Sequence, residues 1–449
     1  MPLPQVDRQR IRRLKRGPVA TTLSKLSPSI KSARWTTKSN RYSVHTINRI
    51  GTELRTPPRT ISKPKDLAEY IAASCLLHCA DGWSYLGKAL HALLRGDPHK
   101  VRHLGYYAEL RAAMSLLASE GIGVFDREHF IVDAHRNVTR LTRTIGTHRF
   151  VWECLDYWSG LKKSGELFAT VVTPNQRSIS DWFTPIGGTK VVSPQAHVWF
   201  RQWGMDLRMP RNDRDARNDS SYRPDGIPIA WSLAADTALR ASSQLWEVFG
   251  VSGSSLFGVV DNHLLRIALE RTFKGTTGSE PKTVPAQYAA FIDNVVNYQA
   301  FEAGIATNWK QFLTRVLDPQ NPELLEYSRI KPTNAEYGHI AVIARAALLL
   351  RVAAGSAQIL IREADISSDT LKFWWESLGT YRGLWEGPRE KEDLLDLWED
   401  VSPHLEEVRV FLETTPPDQR TFHRMGTELS RALMCFGGCE RFAIWSMTP

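Results

Sequence analysis

Cysteine is scarce in this 449-residue chain: there are five, an odd number, which excludes a disulfide framework using every thiol. A membrane-spanning run is missing too. The longest apolar stretch, HIAVIARAALLLRVAAGSAQILI at 339–361, is interrupted by Arg345 and Arg351. It reads as a buried central helix, or as a helix pair broken near Gly355. No apolar run of secretory length lies near the start, so the expected location is the cytoplasm and no membrane partner is expected. The nucleotide-cradling GxxxxGK[ST] loop, the GxSxG nucleophile turn and the HExxH zinc helix are all absent. Their absence removes the commonest NTPase, hydrolase and metalloprotease readings, and no cofactor is expected.

Acid is missing from one region in particular. Residues 1–50 hold twelve Lys or Arg against the single acid Asp7, a net of +11, while the whole chain carries +9; the remainder therefore sums to −2. The basic character belongs to an N-terminal arm, rich in Ser and Thr, and the body is close to neutral. Such an arm suits nucleic-acid phosphate, DNA or RNA, or another acidic surface, with Arg10, Arg12, Arg13, Lys15 and Arg16 as its densest cluster. Its composition predicts partial disorder.

What is present is helical periodicity. The expected class is mainly α, with one small β-hairpin near 122–133 (IGVFDREHFIVD). Helices are expected over PKDLAEYIAASCLLHCADGWSYLGKALHALLRGD, HKVRHLGYYAELRAAMSLLASEG and THRFVWECLDYWSGL. Residues 162–192 read as irregular, followed by a helix with Ser193 as N-cap and Pro194 at its first turn. Further helices are expected near 228–249, 257–273, 284–299, 303–317, 336–363, 368–385, 389–413 and 417–436. The run KGTTGSEPKTVP at 274–285 reads as a linker. It would separate a helical domain over 61–273 from another over 286–449, with the basic arm over 1–60. The fifteen tryptophans fall singly or in pairs along the chain and read as core residues.

Three clusters carry possible chemistry. Cys75 and Cys79, near His78, and Cys435 and Cys439 form two pairs at i, i+4, a spacing that puts two thiols on one helix face and would allow a structural zinc. Zinc pairs are usually spaced more tightly, and apolar helices commonly bury single cysteines, so the core reading is preferred. Asp126, Glu128 and Asp133 on the hairpin have no lysine at a useful spacing and read as a solvated tip; Arg143 and His148 lie in a loop. The third cluster is MPRNDRDARNDSSYRPDG at 209–226, with four arginines and four aspartates. Within it, RNDSSYRP at 217–224 resembles the Arg-polar segment of the HEPN superfamily and the RN-x-x-SY-x-P segment of YaaC-like helical proteins associated with bacterial defence. HLGYYAELRAAMSLLASEGI at 103–122 adds to the second likeness.

That resemblance implies paired helices and, in ribonuclease members, an arginine, a polar residue and a histidine acting on RNA. Arg217 and Asn218 match, but Tyr222 stands at the histidine position, and an ordinary tyrosine is a poor base at neutral pH. If 214–222 is helical, Arg214, Arg217, Asn218 and Tyr222 share a face where a phosphate could be held. The resulting expectation is a non-catalytic helical subunit of a bacterial antiviral defence or nucleic-acid-processing complex. It would contact nucleic acid, other subunits or a second copy of itself. The alternative is a metal-independent endoribonuclease of HEPN type, active only on assembly or infection.

Overall fold

The computed structural model describes residues 3–203, 233–251, 256–331, 334–385 and 396–448. Helices dominate, as the periodicity predicts, and account for 72% of the structure. The arm opens with α1 (Gln5–Arg13), α2 (Gly17–Lys31) and α3 (Thr46–Arg55). Then come α4 (Pro64–Leu94), α5 (Pro98–Ser119) and a three-stranded antiparallel sheet of β1 (Ile122–Phe125), β2 (Glu128–Val132) and β3 (Val138–Arg140). The chain continues through α6 (Thr147–Ser159), α7 (Lys162–Val171), α8 (Ile179–Phe183), α9 (Thr189–Trp203), α10 (Ala235–Phe249) and α11 (Gly258–Thr277). The rest comprises α12 (Pro285–Tyr298), α13 (Ala303–Leu313), α14 (Glu323–Tyr327), α15 (Gly338–Glu363), α16 (Ser368–Arg382), α17 (Ser402–Thr414), α18 (Phe422–Glu428), α19 (Ser430–Phe436) and α20 (Glu440–Met447).

The centre is a three-helix core of α4, α5 and α15. Three consecutive residues make the α4–α5 hairpin. Gly96 adopts φ +74°, the left-handed value that ends a helix; Asp97 caps the next by accepting from the Lys100 amide at 3.0 Å; Pro98 starts it. The two helices run antiparallel, with Cys75 beside Ser115 and Tyr85 beside Tyr107. Helix α15 is continuous through Gly355 and buried along almost its whole length. Among the described residues it is the one helix long and apolar enough to cross a membrane, and it lies inside the protein. Its two arginines have partners: Arg345 Nε donates to Glu109 on α5 at 3.1 Å, and Arg351 to Asp261 on α11 at 2.6 and 3.0 Å. Charge that seemed to interrupt the helix therefore ties it to its neighbours.

Several expectations are corrected. The arm is folded, not partly disordered. Val19, Leu23, Leu26 and Ile30 recur at helical spacing and give α2 one apolar stripe, all of it buried. Asp7, also buried, accepts from the Thr142 amide and hydroxyl and from the Arg143 amide, each at 2.9 Å, anchoring α1. The 162–192 stretch holds α7 and α8 and the start of α9. Helix α9 begins at Thr189, so Pro194 lies inside it and Ser193 is not its cap; the Ser193 hydroxyl donates to Thr189 O at 2.9 Å instead. The hairpin forms with register Ile122↔Ile131 and gains β3 as a third strand. Helix α11 runs into the 274–285 stretch and ends at Gly278 (φ +73°). One cluster of buried side chains includes residues from both sides of that stretch. Trp83, Trp158, Trp182, Trp203, Trp246 and Trp445 are fully buried, as core tryptophans should be.

Candidate anion-binding surfaces

The arm docks through apolar side chains and so turns its cations outward. Arg12, Arg13, Lys15, Lys25, Lys31 and Arg34 are exposed, and none forms an ion pair among the described residues. Arg10 and Arg16 are used differently. Arg10 donates to the Arg140 carbonyl at 3.0 Å, and Arg16 to the Ser356 carbonyl of α15 at 2.8 Å. Of the five arm cations singled out in the sequence, three thus face solvent and two bond to the fold.

A second basic surface was not visible in the sequence. A cavity of about 1120 Å³ opens between the C-terminal half of α4, the start of α5, the end of α16 and helices α19 and α20. Its lining has six Lys or Arg (Lys88, Arg95, Lys100, Arg382, Arg431, Arg441) against three acids (Asp97, Asp400, Glu440), a net of +3, with His91 and His404 beside them. Lys100 pairs with Asp97 at 2.7 Å and Arg382 with Glu440 at 3.1 Å, and Ser84 also donates to Glu440 at 2.7 Å. Lys88, Arg95 and Arg431 have no ion-pair partner among the described residues. Burial, and next the charge of Arg95, hold His91 below its ordinary value, so it is neutral at pH 7.

Gly437 and Gly438, in the turn between α19 and α20, line this cavity, and α4 approaches that turn closely. A Cβ on Gly87 of α4 would strike the Gly437 carbonyl, and one on Gly438 would strike the Arg441 guanidinium. The close approach leaves the Arg441 side chain lying in the cavity, 7% exposed. Among the described residues its Nε has no hydrogen-bond partner, and its nearest carboxylate oxygen, on Asp400, is 3.8 Å away. A buried guanidinium so poorly satisfied is suited to an anion.

The cysteines take the core role. Cys75, Cys79 and Cys439 are buried, and burial raises their thiols, that of Cys75 to about 12, so none is a thiolate at neutral pH. Cys75 Sγ lies 3.9 Å from Ser115 Oγ, and Cys435 Sγ lies 3.8 Å from the Asp400 carbonyl. Among the described residues no three His, Cys, Asp or Glu side chains gather as a metal site. Tyr106 Oη and His148 Nδ1 are 2.9 Å apart, which places His148 in an aromatic cluster with Tyr107 and Trp152. Arg143 pairs with Glu153 at 3.0 Å. On the hairpin, Asp133 binds its own turn through the His135 and Asn137 amides. Arg214, Arg217, Asn218 and Tyr222 lie outside the described residues.

Compared with family models, with curated proteins and with solved structures, the chain matches none.

Proposed function

We propose that this protein is a non-catalytic helical subunit that holds a nucleic-acid backbone on its basic N-terminal face, within a nucleic-acid-processing or antiviral defence assembly. The observation that carries the reading is the orientation of the arm. The apolar stripe of α2 is buried, while six cations, Arg12, Arg13, Lys15, Lys25, Lys31 and Arg34, stand exposed with no ion-pair partner among the described residues. Cations paired with carboxylates would cancel within a Debye length; unpaired ones sum to a field that attracts a polyanion. Contacts of this kind engage phosphates and read no sequence. Membership of an assembly rests on the resemblance of 103–122 and 217–224 to defence-associated helical proteins.

The test is a binding isotherm on labelled duplex DNA across a salt series. With Arg12, Arg13 and Lys15 all changed to Gln, the slope of log K against log salt should shrink by about 0.9 for each cation that touches a phosphate. The melting temperature should stay within experimental scatter, because the three side chains are exposed. An unaltered slope in this triple variant would refute the reading.

A further inference from the structure

The cationic cavity does not end at its lining. On α4, Tyr85 lies one turn before Lys88; on α5, Tyr107 lies one turn beyond Leu104, and Lys88 and Leu104 both line the cavity. The antiparallel pairing of α4 and α5 brings the two tyrosines together, stacked with centroids 5.4 Å apart at 26°. His103 adds a third ring 5.0 Å from Tyr107, and the Lys88 ammonium stands 5.4 Å from the centre of the Tyr85 ring. All three residues are partly exposed. A strip thus runs along the outer face of the α4–α5 hairpin. One end is cationic, with Arg95, Arg431 and the buried Arg441; the other is aromatic.

We infer that this strip binds a short segment of single-stranded nucleic acid, with backbone phosphates in the cavity at Arg95, Arg431 and Arg441 and an unpaired base on the Tyr85–Tyr107 stack. The inference rests on the proposed nucleic-acid function and names the strand form this second surface takes. Ten residues of helix separate Tyr85 from Arg95, about 15 Å at 1.5 Å per residue, which is the reach of a few nucleotides. A duplex keeps its bases stacked inside and cannot offer one to the tyrosines. A single strand can, and cation-lined grooves beside aromatic platforms are the physical requirement for that form. Arg441 adds a largely buried guanidinium to the lining; surface cations alone would not define where the strand sits.

The experiment measures fluorescence anisotropy of a short labelled oligouridylate, the matching oligodeoxythymidylate and a duplex, using the full chain. Arg95→Gln with Arg431→Gln should weaken single-strand binding and reduce its salt slope by about 1.4, near 0.7 per lost contact. Tyr107→Leu should weaken it about tenfold with the slope unchanged, because stacking releases no counterions. Duplex affinity should hold in both variants, whereas the arm variant should lose it, so failure of the cavity and failure of the arm give different patterns. A preference for the uridylate would assign the strand as RNA, and a preference for the thymidylate as DNA. Wild-type single-strand affinity and slope in the Arg95/Arg431 variant would overturn the inference. Both side chains are exposed, so that variant should fold even if Tyr107→Leu melts early.

Discussion

Asp261 shows how much one buried side chain can decide. Its carboxylate accepts two bonds from Arg351 and one from the Thr173 amide at 2.7 Å, and Arg351 in turn donates to the Val171 carbonyl at 2.7 Å. Helices α7, α11 and α15 therefore meet at one ion pair. Burial pushes the Asp261 carboxyl up, and the Arg351 charge opposes that shift. Replacing both partners with apolar residues of similar shape need cost little, but removing one leaves the other charged and alone. Asp261→Ala should therefore destabilise by about 3–5 kcal/mol, measured by denaturant unfolding. A loss below about 1 kcal/mol would mean that Arg351 finds water. The sequence showed Arg351 as a break in an apolar run; it could not show the acid, ninety positions away, that answers it.

At the scale of elements, the arm is the instructive case. Ser, Thr and Arg are enriched in it and acid is nearly absent, a composition shared by disordered tails. The signal against disorder was finer: Val19, Leu23, Leu26 and Ile30 form one helical stripe, and the lone acid Asp7 sits where a buried acceptor is needed. Lys163 reinforces the docking by donating to the Ile11 and Leu14 carbonyls at 3.1 Å. Removing residues 1–31 would uncover the surface that α1 and α2 cover on α4, α6 and α15, so the truncated chain should melt well below the full-length protein or fail to fold. Changing Arg12, Arg13 and Lys15 to Gln should leave the melt intact. Equal melting temperatures for truncated and intact chains, by calorimetry, would contradict the docking. The α4–α5 hairpin was legible for the opposite reason: both helices are long, periodic and punctuated by Gly96, Asp97 and Pro98, each a strong local signal. The α7 and α8 segments were not, because short helices held by packing carry little periodicity of their own.

For the whole molecule, acid should be the chief threat to stability. His129, His263 and His339 are buried, and burial lowers each to about 4 from the ordinary 6.5. His129 is stacked on Phe150 at 3.6 Å, with Nε2 donating to the Ile145 carbonyl; His339 has no hydrogen-bond partner on either ring nitrogen among the described residues. The folded values lie below the unfolded one, so as pH falls the unfolded chain takes up protons first. The contribution of these rings is full above pH 6.5 and declines as the pH drops through 4, by about 3 kcal/mol for each ring at about 1.36 kcal/mol per pH unit. A melting temperature constant across that window would show that these rings are reached by water. His339→Gln should flatten part of the decline, since it removes one of the titrating groups.

The sequence by itself determined the helical class, the small hairpin, the buried tryptophans and the asymmetry of charge. Each of these follows from residues close together in the chain, through periodicity, turn residues or simple counting. Only the tertiary structure decided what depends on distant partners: that the basic arm is folded, that Arg345 and Arg351 are answered by Glu109 and Asp261, and that α4, α5, α16, α19 and α20 enclose a cationic cavity. Lys88 and Arg431 lie more than three hundred positions apart, and no local pattern marks two such residues as neighbours. The physical reason is that propensity and capping act within a turn or two, whereas a cavity is made by what several packed elements leave between them. The stretch around Arg217, Asn218 and Tyr222, the clearest motif in the sequence, lies outside the described residues; of the two tyrosines of 103–122, which shared its resemblance, Tyr107 is part of the strip beside the cavity, while Tyr106 is buried against His148.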